Sequence, residues 1–371
     1  MTLAIVLQFL VVLAAIWMGA RSSGIGLGLW GAVGLLVLVA GFGINPTSPP
    51  IDVMLIILAV IMAASVMEAA GGIDFLVRIA ERIIRANPKY VTIVAPLTTW
   101  TFTFVAGTGH IVYPLLPVIY ETAHRSGIRP ERPMAVATIA SQQAITASPV
   151  AAATAAMIGL FAEKGMTQWG LPQILMVCVP ATLTGVVAAA IVSMFVGKDL
   201  KDDPEYQARL AAGQIPAPQA DTSRTPLKPG ARLSAFIFLA GVALVVLFGF
   251  FPSLRQLPGA KSPLAMPIVI EILMMSVAAI MLLVTKVAVD EVPKTATLRA
   301  GVVAVIGIFG LAWLGDSFIA ANKDVIVPAI GDWAKVAPWT FAFGLFLASV
   351  LLYSQAATTR ALMPLGIALG I

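Results

Sequence analysis

Two short runs place glycines, hydroxyls and amides inside otherwise apolar sequence: Gly107-Thr108-Gly109-His110, and the stretch from Ser141 to Pro149. The side chains of Thr108, Ser141, Gln142, Gln143, Thr146 and Ser148 are neutral donors and acceptors, and His110 is the one titratable group among them. Gly107, Gly109 and Pro149 shape backbone. A helix that starts inside a membrane presents unpaired N–H groups and about half a positive charge at its N-terminal end. Such ends bind anions, and neutral side chains around them can hold a small anion without slowing its release. A third run, Ser354, Gln355, Thr358, Thr359 and Arg360, offers the same chemistry near the end of the sequence.

Each residue also has a plainer role. Glycines permit tight turns, a histidine can satisfy a helix end, and Ser or Thr in membrane helices often bond neighbouring helices. The clustering favours a site, because backbone leaves helical geometry inside a bilayer only where protein buries it or a watery cavity receives it.

The elements that carry these runs follow from composition. The 371 residues are 59% hydrophobic and 11% charged, against about 25% charged in a soluble domain. This predicts an all-α polytopic membrane protein. Apolar spans of about the ~20 residues needed to cross fall at 1–20, 24–41, 52–70, 133–161, 172–197, 232–251, 264–286 and 300–321. The span at 133–161 contains the Ser141–Pro149 run and is predicted to break there, restarting near Pro149. The segment 91–122 differs: the limb before Gly107 is too short to cross, so it reads as a re-entrant helical hairpin whose return limb begins at His110. The segment 338–371 reads as a second hairpin, with its return limb beginning at Arg360.

With the N-terminus outside, 17 of the 23 Lys and Arg residues fall inside, five outside, and Arg360 within the second hairpin. That bias obeys the positive-inside rule. The polar stretch 198–231 reads as a flexible cytoplasmic linker between halves 1–197 and 232–371.

The halves repeat. An offset of 250 maps Asp74 onto Asp324, Arg85 onto Lys335, Pro88 onto Pro338, Thr108 onto Thr358, His110 onto Arg360 and Pro114-Leu115 onto Pro364-Leu365. Five full spans in the first half put the second in opposite orientation, the arithmetic of inverted-topology repeats in secondary transporters. Each half holds a hairpin, and the first continues with a discontinuous helix. The second reads as truncated after its hairpin, at Gly370-Ile371.

Several motifs together resemble the anaerobic C4-dicarboxylate carrier (Dcu) family. They are Gly24-Ile25-Gly26-Leu27-Gly28-Leu29, Pro50-Ile51-Asp52-Val53-Met54-Leu55, Ala70-Gly71-Gly72-Ile73-Asp74 and Asn87-Pro88-Lys89-Tyr90-Val91, with Gly107-Thr108-Gly109-His110, Ile128-Arg129-Pro130-Glu131-Arg132-Pro133 and Gly197-Lys198-Asp199-Leu200. The resemblance implies a multi-pass carrier of the bacterial inner membrane for fumarate, succinate, malate and aspartate, working by exchange or uptake with alternating access. It also implies two inverted repeats, each with a re-entrant hairpin and a discontinuous helix, and a homodimer as in superfamily relatives. The second hairpin departs from the family pattern, which has an asparagine where Tyr353 stands and small apolar residues where Thr358, Thr359 and Arg360 stand.

Other classes fit less well. No catalytic triad, metal-ligand cluster or phosphate loop is present, so the chain reads as no enzyme, with no cofactor or metal. The single Cys178 and the two histidines, His110 and His124, cannot build a multi-cysteine or histidine-rich metal centre. The surplus of basic residues encodes orientation rather than nucleic-acid binding. His110, Glu271 and Asp316 are proton-coupling candidates, since intramembrane ionisable residues are functional by default; Glu68, Asp52 and Asp74 read as span-end residues. The alternatives to a dicarboxylate carrier are a cation–proton antiporter of the same superfamily and a non-transporting membrane protein that binds dicarboxylate. Either way the lipid bilayer is its medium.

Overall fold

The computed structural model describes residues 3–22, 24–166, 168–214, 226–260, 262–352 and 355–369. Every regular element among them is helical. Six helices are single spans by length and apolarity: α1 (Leu3–Ser22), α3 (Ile51–Ala69), α9 (Leu171–Met194), α11 (Ala231–Phe250), α12 (Met266–Thr285) and the continuous stretch Ala296–Asn322. The pair α7 (Glu131–Ala147) and α8 (Ala152–Glu163) makes a seventh, and α2 (Gly26–Phe42) is a shorter apolar helix. These are the segments expected from composition. On α1 and α9 large apolar side chains such as Phe9, Leu10, Val177 and Val192 remain exposed. Helices that are apolar all round suit lipid contact.

The centre is α3, with twelve of its nineteen residues buried. It packs against α12, against α8 and against α13 (Ala296–Gly307), which continues through a π-helical turn at Ile308–Ala312 into α14 (Trp313–Val336). In turn α13, the π turn and α14 pack against α2. Helices of the two halves thus interleave rather than forming two separate bundles. A buried bond from Asn322 Nδ2 to Gln8 Oε1 (2.8 Å) ties α14 to α1.

The first hairpin is α5 (Val91–Ala106) and α6 (Val112–Arg125), joined by a turn and a short 3₁₀ segment, Gly109–Ile111. Its limbs have 16 and 14 residues, about 24 and 21 Å at ~1.5 Å each, short of a ~30 Å hydrocarbon core. The amphipathic α4 (Gly72–Ala86) leads into it and does not span. Glu121 on α6 fixes the base of the hairpin. Its buried carboxylate receives Arg85 Nη1 of α4 at 2.7 Å and Arg125 Nη2 at 2.9 Å. An amide in its place keeps one acceptor oxygen but loses the charge, so the pairs with Arg85 and Arg125 cannot both be kept. Glu121→Gln is expected to cost about 1–3 kcal/mol, read as a melting temperature lower by a few degrees with substrate affinity unchanged.

Three expectations are corrected. The stretch 198–231 is not a uniformly flexible linker: its start carries a 3₁₀ turn at Leu200–Asp202 and α10 (Pro204–Ala211). These are held to the hairpin base by Arg132 Nη1–Asp199 (2.7 Å), Arg129 Nη1–Asp203 (3.1 Å) and Tyr206 Oη with His124 Nε2 (2.7 Å). Charged partners on the preceding loop give this polar segment somewhere to dock. Residues 215–225 lie outside the described residues.

Second, the broken helix restarts at Ala152, not Pro149. The break covers residues 148–151 because Ser148 and Ala151 are extended, and Pro149 lies within it. Third, the second hairpin is α15 (Pro338–Leu352) and α16 (Gln355–Leu369), so Thr358, Thr359 and Arg360 lie inside the return limb rather than at its start. The first hairpin turns at Gly107, in left-handed geometry with φ 71°. Ala357-Thr358-Thr359 has no glycine at the matching place, and the helix runs straight through it.

Candidate functional site

The hairpin turn and the helix break are brought into direct contact. A Cβ on Gly107 would stand 2.8 Å from the backbone oxygen of Val150, so only glycine lets the turn approach the break. A Cβ on Gly109 would stand 2.8 Å from Gln142 Nε2. Ser141 Oγ, fully buried, donates to Gly109 O at 3.2 Å and shares a 2.7 Å hydrogen bond with Thr103 Oγ1 of α5. Thr99 Oγ1 bonds Ala137 O at 2.9 Å, so α5 and α7 are joined at two levels. Within the break, Val150 N donates to Ser148 Oγ (3.4 Å), and Thr154 Oγ1 donates to Ser148 O (2.6 Å). These bonds answer the requirement that non-helical backbone at membrane depth be satisfied by protein.

Between these parts lies a cavity of about 260 Å³. Its walls are the turn (Gly107 to His110), Tyr113, Gln142 and Ile145 of α7, Val150, Ala152 and Ala153 at the break, and Gln355. The facing walls come from α3 (Val60, Ile61, Ala64) and from α13 (Thr297, Ala300, Gly301, Ala304). Four helix N-terminal regions therefore converge on one space. They are the 3₁₀ lead-in to α6 at Gly109, the first turn of α8 at Ala152, the first residue of α16 at Gln355, and the first turn of α13 at Thr297. Among the described residues that line it none is Asp or Glu, and His110 is the one that can carry positive charge. Glu68 already occupies the amides of α13; the other three helix ends, with neutral donors beside them, suit an anion, and the volume, below that of drug-sized sites, suits a small one.

The residues singled out in the sequence divide. Gly107, Thr108, Gly109, His110, Gln142 and Gln355 line the cavity. Thr108 is the cap of the lead-in turn, its Oγ1 accepting from His110 N at 3.4 Å, and Gln355 Nε2 donates to Gln142 O at 3.1 Å, joining the second hairpin to α7. Ser141, Ser148 and Pro149 do not line it; they hold the turn and the break in place. Gln143 points instead toward α9, within reach of Gly185. Thr146 and Thr359 line a separate, largely apolar cavity with Met157, Cys178 and Met363. Three consecutive residues on a helix are spread around its axis, so Ser141, Gln142 and Gln143 cannot face one cavity together. Thr358 is buried on α16. Ser354 and the side chain of Arg360 lie outside the described residues.

The acids separate likewise. Asp316 lines another cavity, about 850 Å³, with Thr47, Asp52, Glu163 and Lys164. Glu271 is half-buried on α12 and lines neither space. Neither acid shares the hairpin cavity with His110. Glu68 does more than mark a span end: its carboxylate accepts from Ala296 N and Thr297 N, both at 3.0 Å, and caps α13. Sequence reasoning missed Thr297. Its trace was the run Thr297, Ala300, Gly301, Ala304, one helical face of small residues.

A family model described as anaerobic C4-dicarboxylate membrane transporter matches residues 4–371. The chain belongs to this family. It is a multi-pass membrane transporter, not an enzyme. Among curated relatives of this transporter family, the anaerobic C4-dicarboxylate transporter DcuB of Escherichia coli O157:H7 is 38% identical over 371 residues, covering 98% of this chain and 83% of its own. The C4-dicarboxylate transporter DcuA of Wolinella succinogenes is 40% identical over 368 residues, covering 99% and 84%. The DcuA of Escherichia coli K12 is 41% identical over the same length and shares.

Proposed function

We propose that this transporter moves C4-dicarboxylates (fumarate, succinate, malate or aspartate) across the bacterial inner membrane by exchange or uptake. The hairpin cavity is the substrate site, with Thr108, His110, Gln142 and Gln355 around the ligand. The observation that carries this reading is the convergence of three helix N-terminal regions, at Gly109, Ala152 and Gln355, on a small cavity with no Asp or Glu among its described lining residues. The helix ends at Gly109, Ala152 and Gln355 present N–H groups rather than carbonyls to the cavity, so the antiporter alternative is disfavoured. Ser141 and Ser148 hold the walls, and the hairpin with α7 and α8 moves as a unit past the remaining spans in alternating access. The basic-residue bias supports a periplasmic N-terminus, and the offset of 250 supports two inverted repeats at 1–197 and 232–371. A homodimer completes the reading, on the superfamily resemblance.

The test is counterflow in proteoliposomes loaded with unlabelled succinate and exposed to labelled succinate or fumarate. Labelled substrate is expected to accumulate. Thr108→Ala removes a cap worth about 1 kcal/mol and is expected to slow exchange by roughly five- to tenfold without lowering expression; Ser148→Ala should slow it similarly. Well-folded protein that neither binds nor exchanges any dicarboxylate would overturn the proposal.

A further inference from the structure

Thr297 stands in the cavity wall contributed by the second half of the chain, facing a space whose other walls are the hairpin turn and the helix break. It is only 6% exposed, and among the described residues its Oγ1 has no hydrogen-bond partner. A buried hydroxyl left in that state destabilises a protein, because desolvation is not offset by a new bond. The backbone around it is fully engaged. Thr297 N and Ala296 N donate to Glu68, and Leu298 N donates to Thr295 Oγ1 at 3.3 Å. With those amides taken, the Thr297 hydroxyl is the donor that the start of α13 has left to offer. The next lining residues on the same helix, Ala300, Gly301 and Ala304, are small and carry no polar side-chain atom, so they leave room beside it.

We propose that Thr297 is a substrate contact, its hydroxyl donating a hydrogen bond to a carboxylate oxygen of the dicarboxylate held between α13 and the hairpin turn. The contact completes the ligand shell from the half of the chain opposite the hairpin, and Glu68 acts as the positioning residue that fixes the first turn of α13. This inference rests on the transport reading above.

The experiment compares the full chain with Thr297→Val and Thr297→Ser in succinate counterflow, together with melting of each protein with and without succinate. A hydrogen bond to a charged acceptor is worth tenfold or more in affinity. Thr297→Val is therefore expected to raise KM for succinate roughly tenfold with kcat within about twofold, the pattern of lost binding shared by ground and transition states. The melting shift produced by succinate should shrink, since stabilisation by ligand follows its affinity. Without ligand, Thr297→Val should melt at the wild-type temperature or slightly higher, because it removes an unpartnered hydroxyl. Thr297→Ser should restore KM.

A Thr297→Val protein with wild-type KM and wild-type succinate shift overturns the inference. So does one that melts lower without ligand and loses kcat at unchanged KM, which would mark a structural role. If the wild-type chain exchanges no dicarboxylate, the transport reading and this inference fall together; wild-type exchange with an unaffected variant overturns this inference alone.

Discussion

Gly107→Ala is expected to cut dicarboxylate exchange by about two orders of magnitude while the protein still reaches the membrane. Two costs add at this position. The residue sits at φ 71°, where a non-glycine residue is strained by about 1–3 kcal/mol. Its new Cβ would also stand 2.8 Å from Val150 O and 3.0 Å from Val150 Cγ2. Backbone cannot swing aside like the end of a flexible side chain, so the turn and the helix break must move apart. Both bound the cavity, and each 1.4 kcal/mol of lost fit is about tenfold in rate or affinity. Gly109→Ala is the informative comparison. Its Cβ would meet Gln142 Nε2, the far end of a side chain, and no positive φ is involved, so a loss nearer tenfold is expected. Exchange at the wild-type rate in Gly107→Ala would remove the turn–break contact from the transport site.

Gly28→Ala is expected to be among the most destabilising single-methyl changes in the described residues. At this crossing α2 and the π turn approach backbone to backbone. A Cβ on Gly28 would stand 2.0 Å from Ile306 O, and one on Gly310 would stand 1.7 Å from Gly28 O. Gly31 is closed in the same way, 2.5 Å from Gly310 C. In lipid, such close packing of small residues is a principal source of helix association, and overpacking a tight contact costs on the order of 3 kcal/mol. A melting temperature lower by several degrees and reduced recovery of folded protein are expected. Gly41→Ala on the same helix is the control: its Cβ would find its nearest neighbour at 4.0 Å, Val37 Cγ1, and melting should be unchanged. Because the crossing supports the continuous helix that presents Thr297 and Gly301 to the cavity, Gly28→Ala should also weaken exchange. Equal melting of the two variants would mean that the crossing opens in the membrane.

The regions that build the candidate site are legible in the sequence, while the place of each residue within them is not. Gly107-Thr108-Gly109-His110 was readable because its limb is too short to cross and its polar run interrupts apolar sequence. In the Ser141–Pro149 run, sequence offered six polar or shaping residues of equal standing. The helix sends Gln142 to the cavity, Ser141 to the hairpin limb and Gln143 toward α9. The offset aligns the second hairpin with the first, yet its return limb begins at Gln355 rather than Arg360, since an offset carries position without carrying the glycine that made the first turn.

Sequence by itself determined that this is a helical membrane protein with a short-limbed helical hairpin and a broken helix. Span length, apolar continuity and glycine in a turn are local properties, and a bilayer enforces them segment by segment. Only the tertiary structure decided which side chains meet. The cavity depends on α3 and α13, helices far from the hairpin in sequence, and on which face each turns toward it. Thr297 looks like an ordinary residue just ahead of an apolar span. It becomes a candidate ligand contact because Glu68, 229 positions earlier, engages the amides around it and leaves its hydroxyl unpartnered beside the cavity.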